Sequence, residues 1–156
     1  SCHPAGTLGV EDIESTLSAW EIEGWGCPDI VIIDYADILA PPRGADKLMP
    51  RDQINRTWQQ LRALSQKGNH LLITATQANR ESYDARSINR RHLSEDKRKL
   101  SYVTALVGIC VTSADKERQL MRLNFPARRE GEASWKREVH VAQCLSLANP
   151  CVRSCF

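Results

Sequence analysis

Two polar residues stand where buried strands should end. Pro28-Asp29-Ile30-Val31-Ile32-Ile33 runs into Asp34, and His70-Leu71-Leu72-Ile73-Thr74-Ala75-Thr76 runs into Gln77. A carboxylate at the carboxyl end of a parallel strand can hold Mg²⁺, usually through water, beside nucleotide phosphates. A neutral amide at the end of the next strand can sense a terminal phosphate or orient a water molecule. A third pair, Arg128-Arg129, follows an alternating apolar stretch. An arginine on such a loop can reach a neighbouring subunit's phosphate and stabilise transition-state charge. Taken singly, these are a strand-end turn, a strand-end amide and solvated arginines. Their matching positions point to nucleotide chemistry.

The elements that would position these groups follow from periodicity. Val10, Ile13, Leu17 and Trp20 recur at helical spacing, with Glu11 and Asp12 in the first turn and Gly24 and Gly26 beyond the end, which predicts a helix over 10–23. The run at 30–34 predicts a buried strand, because covering both faces removes the alternation. Residues 40–49 are a loop. Pro50 opens a second helix with the stripe Ile54, Trp58, Leu61 and Leu64, and Gly68 is its expected stop. A second strand covers 70–76, and a third 103–111. Met121, Leu123 and Phe125 alternate, as do Val139, Val141 and Leu145, which predicts two last strands joined by a turn near 128–136. The first half reads as parallel α/β and the last part as an antiparallel strand pair.

Between the second and third strands, residues 78–99 are polar and long for a plain connection, the mark of a functional segment. Arg86, Arg90, Arg91, Lys97, Arg98 and Lys99 lie there against Glu95 and Asp96. The bland alternative is a solvated face. Net charge over the 156 residues is only +2, so bulk charge does not announce a nucleic-acid binder. With 26% charged and 42% hydrophobic residues the composition is that of a globular domain. No apolar run approaches a membrane span, and no basic-then-apolar leader precedes the first helix. The chain begins with Ser1, which suggests a processed, engineered or partial sequence. The six cysteines include no C-x-x-C pair. Cys2-His3 with Cys151 and Cys155 fits no structural zinc spacing, so free thiols in a reducing compartment are expected.

Pro28-Asp29-Ile30-Val31-Ile32-Ile33-Asp34-Tyr35 resembles the Walker B strand of the DnaB-like replicative helicases, a RecA-fold ATPase family, and the Asp-Tyr-Ala-Asp run looks closest to phage-type members. Thr76-Gln77-Ala78-Asn79-Arg80 resembles that family's Ser-Gln-x-x-Arg motif, followed by an arginine matched by Arg86. His92-Leu93-Ser94-Glu95-Asp96 and the strand after it resemble the segment with a nucleic-acid-facing loop. Arg129-Glu130-Gly131 resembles the end of the Lys-x-Arg-x-Gly arginine-finger motif. The likeness runs from about residue 7 to 146, leaving 147–156 as a C-terminal tail. It implies a partial RecA-like P-loop NTPase core, with a mostly parallel sheet and a C-terminal antiparallel strand pair.

Carried onto this chain, the resemblance makes Asp34 the Walker B aspartate that organises Mg²⁺ through water, with Tyr35 and Gln77 also at the nucleotide. Gln77 becomes the sensor linking the ATP γ-phosphate to the DNA loops. Arg129, with Arg128 beside it, becomes the finger acting in trans. Arg80, Arg86, Arg90, Arg91, Lys97, Arg98 and Lys99 supply single-stranded DNA contacts, which are electrostatic and salt-sensitive. The implied parent is a homo-oligomeric, hexameric ATP-driven helicase in the cytoplasm of a bacterial or phage-infected cell.

Three positions depart from the pattern. Ala127 stands at the finger motif's lysine. Asp96-Lys97 replaces an expected Ser-Gly pair. No G-x-x-x-x-G-K-S/T occurs in the chain, and that loop's amides and lysine carry most of the phosphate binding. The expectation is therefore the C-terminal portion of a larger ATPase, inactive alone. Its sheet either closes over the missing P-loop strand, between 70–76 and 103–111, or keeps exposed edges. The alternatives are a RecA-like recombinase or regulatory ATPase, and a degenerate non-enzymatic nucleic-acid-binding module.

Overall fold

A computed structural model describes residues 2–79, 82, 85–89, 92, 97–130 and 137–155. The chain divides into two compact units, residues 1–76 and 77–156.

In the first unit, helix α1 covers Val10–Ile22. The Asp12 carboxylate accepts the Gly9 N–H at 2.8 Å, satisfying a donor that the first turn leaves free. Strand β1, Ile30–Ile33, is followed by a 3₁₀ turn at Ala36–Ile38. Helix α2 spans Pro50–Gly68 and strand β2 spans Leu71–Thr74. The two strands pair in parallel, Ile30 opposite Leu71 and Ile33 opposite Thr74. Val10, Leu17, Trp58, Leu61 and Leu64 are the buried apolar residues of the helices. Helix α2 ends at Gly68 as expected, and it is Asn69 beyond it that turns the chain with φ 49°. The missing side chain makes room for the His70 ring, because a Cβ on Gly68 would lie 2.3 Å from His70 Nδ1.

In the second unit, a 3₁₀ turn at Lys97–Ser101 precedes strand β3, Ala105–Cys110. Short helix α3, Ser113–Glu117, follows, then β4 at Leu120–Arg128, β5 at Glu138–Cys144 and β6 at Asn149–Cys155. The four strands form one antiparallel sheet in the order β3-β4-β5-β6. The expectation of a mostly parallel sheet is therefore corrected. Only β1 and β2 are parallel among the described residues, and β3 belongs to the antiparallel sheet. The physical reason lies in the connection. Residues 111–119 carry a single short helical turn, too little chain for the crossover that a parallel neighbour needs. The antiparallel part thus has four strands rather than two, and the C-terminal residues supply the fourth.

Candidate functional site

Asp34 follows β1 directly and is exposed. It lines an open groove of about 440 Å³ with Leu8, Leu17, Trp20, Ile30 and Ile32. No hydrogen bond or ion pair from the described residues engages its carboxylate. The backbone just beyond it is fixed from β2. Thr74 donates its hydroxyl to Ile33 O at 2.9 Å and accepts the Ala36 N–H at 2.9 Å. The Asp34–Tyr35 peptide is cis. Asp37 then joins both strand ends to α2. Its Oδ1 accepts from Trp58 Nε1 at 2.9 Å and its Oδ2 accepts from Thr76 Oγ1 at 2.6 Å. Trp58 is buried, so its indole N–H needs such a partner. Hydrogen bonds to an ionised carboxylate are shorter and stronger than neutral ones, which suits this staple.

Sequence reasoning singled out Asp34 and Gln77 and missed Asp37, Thr74, Thr76 and Trp58. The readable signals were a second aspartate three residues after the first and threonines at alternate positions at the end of the second apolar run. Gln77 is exposed and is the first residue of the second unit. The donor set can hold a cation only in part. Asp34 offers one carboxylate, and no cluster of three or more His, Cys, Asp or Glu suited to a metal occurs among the described residues. Toward a hard cation such as Mg²⁺, Asp34 would be a single carboxylate donor, with water supplying the remaining positions.

In the second unit, Arg128 and Arg129 stand at the end of β4. They part company there. The Arg129 N–H donates to Thr104 O at 2.8 Å, its Nε donates to Val103 O at 3.1 Å, and its terminal nitrogen donates to Ser101 O. Its guanidinium thus braces the chain leading from the basic 3₁₀ turn into β3. Arg128 is exposed, opposite Ala105 in the ladder, and borders a shallow pocket of about 210 Å³.

The basic residues are also sorted. Arg86 is exposed and 4.0 Å from Glu138. Arg98 is half-buried in the turn. Lys99 is only 4% exposed, so its ammonium is not presented to a phosphate backbone in this conformation. Lys97 begins the turn, but its side chain, like Arg80, Arg90 and Arg91, lies outside the described residues.

Beneath this surface, Arg122 is buried and paired with Asp115 at 2.7 Å and Glu138 at 3.9 Å. Glu138 also faces His140 at 3.7 Å. The Thr112 hydroxyl and N–H donate to Asp115, and with Arg122 beside it they hold that carboxyl at about 2, well below its usual range. Thr112-x-x-Asp115 is a helix-capping box, legible in the sequence. Burial pushes the Cys110 thiol up.

Solved structures share this fold. One of them, an ATPase domain, superposes with a TM-score of 0.76 at 17% identity, over 91% of this chain and 50% of that one. A DnaB-like replicative helicase, solved in a study of its interactions with primase, gives 0.73 at 17% identity, over 88% and 34%. The chain therefore spans about half of one and a third of the other. No family model matches the chain, and no curated protein matches it in sequence.

Proposed function

We propose that this chain is the Walker B-to-arginine-finger portion of a DnaB-like, ATP-driven DNA helicase motor, and that it needs a P-loop-bearing portion for ATP hydrolysis. The observation that carries the reading is the end of the parallel pair. An exposed, unengaged Asp34 follows β1, and β2 beside it leads through Thr76 to Gln77, within a fold shared with an ATPase domain and a DnaB-like helicase. In this reading Asp34 orders the water shell of Mg²⁺, Tyr35 borders the nucleotide, and Gln77 senses the γ-phosphate. Arg128 or Arg129 serves a neighbouring subunit's ATP in a hexamer, and the basic segment 80–99 lies against single-stranded DNA.

A second feature supports incompleteness. Ile30, Ile32, Leu71 and Ile73 share one face of the parallel pair and are 44–73% exposed. Parallel strands are normally covered on both faces, so this pair fits a larger sheet. The chain alone should show negligible Mg²⁺-dependent ATP turnover, since the phosphate-cradling loop is absent from it. Turnover by this chain that Asp34→Ala abolishes would overturn the statement.

One observation favours a second reading, a non-enzymatic nucleic-acid-binding module: the Arg129 guanidinium is tied to carbonyls of its own chain. Single-stranded DNA binding without any ATP-linked activity in the full-length protein would select it.

A further inference from the structure

Among the described residues of the polar segment after Gln77, Ile88 is an apolar residue that behaves as core. Ile88 is 8% exposed, and within the second unit it sits on the antiparallel sheet. Asn124 of β4, 1% exposed, donates Nδ2 to Ile88 O at 2.6 Å. Gly108 of β3 lies beneath the Ile88 side chain. A Cβ there would come 2.7 Å from the Ile88 Cβ and 2.3 Å from Asn124 Oδ1, so the site admits no side chain. The β3–β4 register shifts between Leu106 and Gly108, next to the same glycine, the kind of position where glycine in a strand marks a bulge and a close backbone approach. Cys110 completes the floor, its thiol 4.0 Å from Asn124 Oδ1. Two residues before Ile88, Arg86 points to Glu138 of β5 at 4.0 Å.

A buried amide with both ends engaged is costly to leave half-satisfied. Asn124 is therefore a specific receptor for the Ile88 backbone, not a filler of space. We propose that Ile88, Gly108 and Asn124 form a dock that positions residues 85–89, and Arg86 with them, for nucleic-acid phosphates, and that Glu138 is the internal counter-charge Arg86 leaves when a phosphate arrives. The inference rests on the nucleic-acid part of the function proposed above and adds residues that touch no phosphate yet set its affinity. The cause is pre-organisation. Residues 85–89, held on the sheet through Ile88, lose less conformational freedom when they bind than a free stretch does. The Arg86 side chain is exposed and its pairing with Glu138 is long, so the pair is weak enough to exchange partners.

The test uses the full chain and a fluorescein-labelled oligothymidine, followed by anisotropy across a salt series, with amide hydrogen exchange on the same samples. Ile88→Ala and Gly108→Ala should speed exchange over residues 85–89 and weaken binding at least tenfold, while β4 and β5 keep their protection. Ile88→Leu should restore both. The dependence of log Kd on log salt should stay the same in the dock variants, because no cation is removed. Arg86→Ala should reduce that slope by about 0.7, the value for one single-strand phosphate contact. Faster exchange with unchanged affinity would overturn the proposal, and so would unchanged exchange in Gly108→Ala. A wild-type chain that ignores oligothymidine at low salt would remove the nucleic-acid reading itself, and the dock's purpose with it.

Discussion

The first unit buries apolar side chains against two helices and leaves one face of its strand pair bare, whereas the second buries charge. Ile30, Ile32, Leu71 and Ile73 are exposed on β1 and β2, while Arg122 and Asn124 are among the most buried residues of β4. The contrast separates two kinds of incompleteness. A bare apolar face asks for more chain of the same sort. A buried arginine held by two carboxylates is already answered from within. The first unit therefore suits the place in a larger sheet proposed for it. The second is self-contained, with Ile88 held on its sheet and an arginine-bearing strand end.

The contrast can be broken most forcefully at Arg122. Replacing it with alanine removes the one buried cation shared by Asp115 and Glu138 and should cost about 3 kcal/mol of stability, read by urea denaturation. A loss under about 1 kcal/mol would mean the charges are solvated and the second unit is not self-contained. Leu61→Ala in the first unit should cost about 2–5 kcal/mol through its cavity. Separate melting of the two units, with each variant lowering only its own transition, would sharpen the division.

At the strand ends the expected effects are smaller. Asp37→Ala or Thr76→Val should cost about 1–3 kcal/mol, the range for leaving a hydrogen-bonding group without its partner. Trp58 fluorescence should change in Asp37→Ala, which removes the indole's acceptor. Unaltered fluorescence in Asp37→Ala would break the proposed staple.

Acid provides a check confined to the second unit. The Asp115 carboxyl is held at about 2 against an ordinary value of 3.8. A folded-state value below the unfolded one stabilises the fold at higher pH, so the contribution is complete above about pH 4 and lost as pH falls toward 2. Asp115→Asn should remove that part of the acid sensitivity. An identical pH profile for variant and parent would show that other carboxyls set it. The least change is expected on the bare face. Ile32→Thr should alter stability by no more than about 0.5 kcal/mol, as at other exposed positions, while reducing binding of a hydrophobic dye.

Helices α1 and α2 could be located from the sequence by their apolar period and strands β1 and β2 by their continuous apolar runs, whereas the five-residue helix α3 has no apolar stripe to announce it. Pairing direction could not, since the run Ala105–Cys110 looks the same beside a parallel or an antiparallel neighbour. Strand β6 was hidden because Asn149-Pro150-Cys151 opens it without apolar alternation. Asp34 was visible because a carboxylate ending an apolar run is conspicuous. Asp37 was not, because its role exists only once Trp58 from α2 and Thr76 beyond β2 converge on it. Gly108 was a missed cue: a glycine inside an apolar strand announces that something packs closely above it.

If Asp34 organises the metal of an ATPase whose phosphate-binding loop lies outside this chain, the decisive experiment is magnesium-dependent ATP hydrolysis by a protein that carries a P-loop portion joined to this chain. The expected result is turnover that Asp34→Ala eliminates while circular dichroism and nucleotide-free stability stay the same. Turnover that persists in a folded Asp34→Ala variant would contradict the assignment.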